Sequence, residues 1–258
     1  MDKKKDIFYS LPEVWDLCLE KIYNKEIYIS GFLDLMKSIG ITQESLILDA
    51  GCGSGFPAID LIESGYHVIG VDKSSEMVRQ IKINARKRGV SIEAKHIMWS
   101  ELSKNFNPIF DFIYCRGNSL IYAASWEQNW IVPNRSREEI LEAIKNFYQI
   151  LKPGGKLYID ITSKNEKPDQ RNIGIVQTRR GPVQIFWKVE HDRKNKIRAW
   201  KITLKFLTSG KDANYLSYSY LLPHKELIKF LKDAGFKKTD KYIMVKGENN
   251  YSSFVAYK

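Results

Sequence analysis

Apolar positions recur at helical spacing through residues 11 to 38, where Val14, Leu17 and Ile22 are followed by Ile27, Phe32, Leu33, Leu35 and Met36, with a break at Asn24-Lys25. From Leu46 the pattern changes to short apolar runs that end in glycine, aspartate or cysteine, each leading into a helical period. Leu46-Ile47-Leu48-Asp49 precedes a helix opening at Phe56-Pro57, and His67 to Asp72 precedes a helix from about Ser75. That helix places Met77, Val78, Ile81 and Ala85 on one face and ends in Arg86, Lys87, Arg88 and a capping Gly89. Strands follow at Ile92 to Ile97 and Phe110 to Cys115. Ser136-Arg137-Glu138-Glu139 reads as a capping box for a helix carrying Ile140, Ile144, Phe147 and Leu151 inward, and Lys156 to Ile161 is the fifth strand. Strand and helix alternate, which predicts an α/β fold with a mostly parallel sheet and helices on both faces.

Residues 173 to 220 break that alternation. β-rich runs at Ile173 to Gln177, Val183 to Val189 and Ile197 to Leu207 are separated by turn-formers at Arg179 to Pro182 and His191 to Lys196, with no helix between them. This predicts an antiparallel β insert. A helix at Lys225 to Ala234 and strands at Lys241 to Val245 and Ser252 to Ala256 complete the chain. The expected organisation is a helical cap over 1–45, a core formed by 46–172 and 221–258, and the insert 173–220 covering the substrate site.

Composition narrows the class. The 258 residues carry 41 Lys+Arg against 30 Asp+Glu, a formal charge of +11, and 43% are hydrophobic, which describes a folded globular chain and not a disordered one. Cys18, Cys52 and Cys115 are odd in number and widely spaced, which argues against a disulfide framework and a zinc site. His67, His96, His191 and His224 share no ligand spacing, and no metal is expected. A charged N-terminus without a following apolar run, and the lack of any 18-residue apolar stretch, point to the cytoplasm and away from a membrane.

The chemistry concentrates at Asp49-Ala50-Gly51-Cys52-Gly53-Ser54-Gly55, between an apolar strand and a helix. Glycines allow a sharp turn and bring backbone N–H groups against a ligand. Asp72 ends the next strand, where a carboxylate can accept hydrogen bonds from both hydroxyls of an adenosine ribose. A dinucleotide fingerprint would need a glycine at position 56, which is Phe56; the pattern is G-x-G-x-G.

With Leu48 to Gly55, Asp72 followed by Ser75 and Met77, and Leu151-Lys152-Pro153-Gly154-Gly155, the chain resembles the class I S-adenosylmethionine-dependent methyltransferases. The resemblance implies a Rossmann-like seven-stranded sheet with a reversed final strand, S-adenosyl-L-methionine as cofactor, S-adenosyl-L-homocysteine as product, and no metal. Cys115-Arg116-Gly117-Asn118-Ser119-Leu120, Val14-Trp15, Trp99 and the insert resemble the glycine N-methyltransferase and glycine/sarcosine methyltransferase group. That group includes homo-oligomers. By this resemblance Trp15, Lys25, Asp49, Gly51, Gly53, Gly55, Asp72, Met77, Met98, Trp99 and Arg116 would hold the cofactor. Asn118 and the Gly117 carbonyl would hold an acceptor amine, Tyr122 would flank the methionine end, and Thr162, Trp187 and Tyr220 would lie toward the substrate.

Two departures bear on the substrate. The arginine that clamps a glycine carboxylate in the resembling group matches Thr162 here, and the N-terminal arginine on the cofactor carboxylate matches Lys25. A related amine therefore fits better than glycine. Trp15, Trp187 and Tyr220 also read as plain core aromatics, whereas a charged Arg116 at the carboxyl end of a central strand faces the ligand crevice. Two other functions stand beside small-molecule N-methylation. Nine basic residues between 179 and 205 (Arg179, Arg180, Lys188, Arg193, Lys194, Lys196, Arg198, Lys201, Lys205) could track RNA phosphates, although the same lysines also read as a solvated face. A non-catalytic S-adenosylmethionine-binding regulator is the third.

Overall fold

The computed structural model describes residues 12–22, 24–124, 133–164, 166–178, 181–243 and 251–258. Arg179, Arg180, the first eleven residues and Met244-Val245 of the expected last-but-one strand lie outside the described residues. Two helices, α1 (Pro12–Ile22) and α2 (Lys25–Ser38), lead into the sheet, and the break between them is the Asn24 N-cap, whose side chain accepts from Ile27 N at 3.1 Å.

The central sheet contains β1 (Leu46–Ala50), β2 (His67–Asp72), β3 (Glu93–His96), β4 (Phe110–Cys115), β5 (Leu151–Thr162), β10 (Lys238–Tyr242) and β11 (Tyr251–Tyr257). Its order is β10-β11-β5-β4-β1-β2-β3. β1 to β5 pair in parallel, while β11 runs antiparallel between β5 and β10. Period-two alternation splits the core into two layers: Ile47 packs on one face with Phe32 of α2, and Leu48 and Ala50 pack on the other with Val14 of α1. β1 lies between β2 and β4, so the winding runs outward from β1 first to one side and then to the other, and at this switch point the carboxyl ends of the parallel strands open a crevice.

Helices α3 (Ala58–Glu63), α4 (Ser75–Lys87), α5 (Leu102–Asn105), α6 (Pro133–Ile150) and α7 (His224–Ala234) cover the sheet. Ser74 caps α4, and Gly89 at φ +73° ends it, with Val90 N bonded to Ala85 O and Gly89 N to Arg86 O. The proposed capping box does not start α6. The helix is already formed at Pro133, where a missing N–H costs nothing, and Ser136 lies buried inside it with its hydroxyl unpartnered. Pro57 likewise precedes α3 and is not part of its first turn.

The insert is a separate antiparallel sheet of four strands, β6 (Asp169–Thr178), β7 (Gly181–Asp192), β8 (Ile197–Phe206) and β9 (Lys211–Tyr220), in sequential order. Only three were expected. β9 is nearly without aliphatic residues, yet its Ser217 and Ser219 are fully buried because they stand opposite the bulky Trp200 and Arg198 of β8. Small residues complete the packing where large neighbours leave little room. Among the described residues no helix is long and apolar enough to cross a membrane.

Candidate functional site

The loop after β1 is tied to β2 by its backbone. Gly51 N and Cys52 N both donate to Val71 O at 2.9 Å, and Gly53 N donates to Asp72 Oδ2 at 2.9 Å. Ser74 N donates to Asp72 Oδ1 at 2.8 Å. Each Asp72 oxygen thus keeps a lone pair for a further donor. Burial raises the Asp72 carboxyl above its ordinary pKa, and the Ser74 and Gly53 amides pull it back.

The three loop glycines have different reasons. All have positive φ, +101° for Gly51, +50° for Gly53 and +119° for Gly55. A Cβ on Gly53 would meet nothing within 4 Å, so the backbone there borders open space. On Gly55 it would stand 2.5 Å from Ile59 Cδ1 and 2.9 Å from Ile81 Cγ1, which makes Gly55 a packing glycine between the loop and α3 and α4.

A cavity of about 840 Å³ opens above these strand ends. Gly51, Gly53 and Asp72 line it together with Met77, Met98, Trp99, Arg116, Gly117, Asn118, Tyr122, Trp15 and Trp187. Asp49, Gly55, Lys25, Thr162 and Tyr220 do not. Asp49 points into the protein between strands, where burial pushes its carboxyl up to about 8 against the opposing pull of the Tyr114 hydroxyl and the Arg116 guanidinium. Lys25 lies with its ammonium 5.7 Å from the Phe56 ring, and Tyr220 is wholly buried, donating its hydroxyl to Glu226 at 2.8 Å.

After β4 the chain takes left-handed φ at Gly117 (+71°) and Asn118 (+63°), a turn that suits glycine and asparagine. Asn118 N donates to Asp160 Oδ1 at 2.6 Å. Its side-chain amide is fastened to Thr162: Asn118 Nδ2 donates to Thr162 Oγ1 and Thr162 N donates to Asn118 Oδ1, both at 2.8 Å. Thr162 therefore orients Asn118. Arg116 is held between two rings, with its guanidinium 4.7 Å from the Tyr28 centroid and 4.9 Å from that of Phe56. Its Nε donates to Tyr28 Oη and its Nη1 to Phe56 O, both at 2.9 Å.

The opposite wall comes from α1 and the inner face of the insert. Trp15 stacks on Trp187 at 6.3 Å between centroids, and Trp200 meets both edge-on at 6.2 and 5.1 Å. Trp200 also reaches the Tyr122 ring at 6.4 Å. Below them Arg198 is buried, donating through Nε and Nη2 to the Glu166 carboxylate at 3.1 and 3.2 Å and through Nη1 to Tyr122 Oη at 2.9 Å. His191 Nε2 lies 2.6 Å from Glu166 Oε2.

Sequence reasoning missed Arg198, Glu166 and Trp200 as cavity residues. Arg198 was counted in a basic stretch, and its burial could only have been read from the alternation Arg198, Trp200, Ile202, Leu204, which places it on the apolar face of β8. Other cations of that stretch are also engaged: Lys188 with Glu190, Lys196 with Glu226, and Arg193 with the Glu166 carbonyl. Among the described residues no group of three or more metal-ligating side chains is assembled.

Residues 47–155 match a family model described as a methyltransferase domain. This span holds β1 to β4 and the start of β5, so the part of the chain that builds the crevice is similar to a methyltransferase domain. The chain is 32% identical over 129 residues to a glycine/sarcosine N-methyltransferase of Halorhodospira halochloris, a match that covers 50% of this chain and 43% of that one. It is 29% identical over 177 residues to the glycine N-methyltransferase of Mus musculus, covering 62% and 56%. The chain thus spans about half the length of the curated relatives it matches. Among solved structures, the sugar N-methyltransferase KedS8 from Streptoalloteichus superposes with a TM-score of 0.71 at 16% identity, covering 96% of this chain and 92% of that one. An S-adenosylmethionine-dependent methyltransferase from Clostridium acetobutylicum gives 0.70 at 15% identity, covering 98% and 99%. At such identities these two attest the fold.

Proposed function

We propose that the protein transfers the methyl group of S-adenosylmethionine to the nitrogen of a small-molecule amine. The observation that carries this reading is that one cavity joins the Gly51–Gly53 loop and Asp72 to the Asn118 turn and to the insert wall. The residues present fit the cofactor: Asp72 retains acceptor capacity on both oxygens, Gly53 borders open space, and the buried Ser54 hydroxyl beside it has no protein partner. In this reading Gly51, Gly53 and Asp72 hold the nucleoside, Met98 and Trp99 flank the base, and Arg116 stands toward the carboxylate end. S-adenosylmethionine, when bound, supplies a sulfonium methyl that is already an activated electrophile.

The chain's own residues then need only present an amine lone pair and keep water away. Thr162 uses one N–H and one lone pair of the Asn118 amide, which leaves the other lone pair of Oδ1 to accept from an amine. The Gly117 carbonyl serves as a second acceptor. Enclosure between the two walls disfavours the ammonium form and so favours the nucleophilic neutral amine. No covalent nucleophile is needed, and the buried cysteines take no part: burial raises Cys52 and Cys115 well above the ordinary thiol range. The test is Asn118→Ala, which should lower turnover at least tenfold while S-adenosylmethionine affinity by calorimetry changes little. Unchanged turnover removes Asn118 from the mechanism, and tight cofactor binding without transfer to any amine favours a regulator.

A further inference from the structure

We infer that the acceptor carries its nitrogen on a ring with an uncharged body, and is not a free short amino acid. This rests on the N-methyltransferase reading and narrows it. The acceptor side of the cavity is the region around Asn118, and the helical turn Ser119–Tyr122 that follows it delivers Tyr122 against Trp200. From there the rings run without interruption through Trp200 to Trp187 and Trp15, with neighbouring centroids 5.1 to 6.4 Å apart. Such a slab recognises its partner through ring faces and C–H edges and offers few directional hydrogen bonds. A two-carbon amino acid has too little apolar surface to cover it.

Charge points the same way. A carboxylate on the acceptor is best received by a cation, and the arginines at this wall each already face an acid. Arg198 is neutralised by both oxygens of Glu166 and held by Tyr122, and Arg171, at the same wall, is ion-paired with Asp169. Drawing Arg198 toward an acceptor carboxylate would take two hydrogen bonds from the buried Glu166 and leave it to His191. Thr162 supplies no charge and is committed to Asn118. The cavity of about 840 Å³ lies toward the upper end of the range for small-molecule sites, roughly 300–1,000 Å³, with room for a cofactor and a ring beside it.

An amino sugar and an amino-heterocycle share this chemistry, one with a puckered and one with a planar face. The experiment offers the full chain, with methyl-labelled S-adenosylmethionine, four acceptors: glycine, sarcosine, glucosamine and aminopyridine. Binding of each to the S-adenosylhomocysteine-loaded protein is followed in parallel by calorimetry. The expected result is transfer to at least one ring amine with kcat/KM at least tenfold above glycine and sarcosine, and whichever ring reacts identifies the face that fits. Trp187→Ala should then raise KM for that amine tenfold or more and Trp187→Phe should restore most of the loss, while S-adenosylhomocysteine affinity stays at the parent's in both, although Trp187→Ala lowers the melting temperature through the lost contacts with Trp15 and Trp200. Glycine or sarcosine used as well as or better than the ring amines overturns the inference and leaves N-methyl transfer standing. Failure to methylate any of the four, with the cofactor still bound, overturns both.

Discussion

The two walls of the cavity are built by different means. The wall proposed for the cofactor is made of backbone: a glycine loop, the amides around Asp72, and left-handed turns at strand ends. The wall proposed for the acceptor is made of side chains, three tryptophans and a buried ion pair drawn from α1, the β5–β6 connection and the insert. A backbone wall suits a ligand that never changes, because amide geometry is set by the fold. A side-chain wall can be rewritten by substitution without disturbing the sheet beneath it, which is where differences in specificity between proteins of one fold are expected to collect.

That contrast can be broken most forcefully at Arg198. Arg198→Met takes the guanidinium from the buried Glu166 carboxylate, which is left to His191, and should cost about 1.5–3 kcal/mol in urea unfolding, while Arg198→Met combined with Glu166→Gln should recover much of it. An unaltered unfolding midpoint in the single variant would mean that this pair does not secure the acceptor wall. Next comes Asp72→Ala, which removes the acceptor for Gly53 N and Ser74 N and for the ribose. S-adenosylmethionine affinity should fall about a hundredfold, roughly 2.7 kcal/mol, whereas the double variant at the other wall should alter it far less.

Gly55→Ala should destabilise the protein by about 1–3 kcal/mol, because φ is +119° and the new methyl meets Ile59 and Ile81. Gly53→Ala, where the methyl meets open space, should cost less stability and more cofactor affinity; equal effects of the two on both measurements would erase the distinction between packing and ligand-facing glycines. Asp49 sharpens the comparison through pH. Its folded pKa of about 8 lies above the ordinary carboxylate value of 3.8, so the native chain holds an extra proton between the two. The corresponding stability is fully present below about pH 4 and is lost as pH rises through 8. Asp49→Asn should therefore flatten the fall of Tm across that window, and a slope as steep as the parent's would move the titration to another buried acid.

What could be read in the chain follows the same division. The glycine loop, Asp72 and the alternation of strands and helices are local patterns, each confined to a dozen residues, and the parallel sheet with its reversed β11 agrees with the expected architecture. The acceptor wall depends on pairs such as Trp15 with Trp187 and Asn118 with Thr162, which only the folded chain brings together. β9 escaped notice because its buried positions are serines, whose burial is dictated by Trp200 and Arg198 across the strand. The false capping box at Ser136 shows the converse: a good local signal yields when the helix has already begun upstream and the serine faces inward.

One feature of the trio Trp15, Trp187 and Trp200 reaches back to synthesis. A ribosome releasing this chain delivers α1 first and β8 long afterwards, so β1 to β4 can assemble while the cavity above them is still missing one side. Until β8 has emerged, Trp15 waits with an uncovered face.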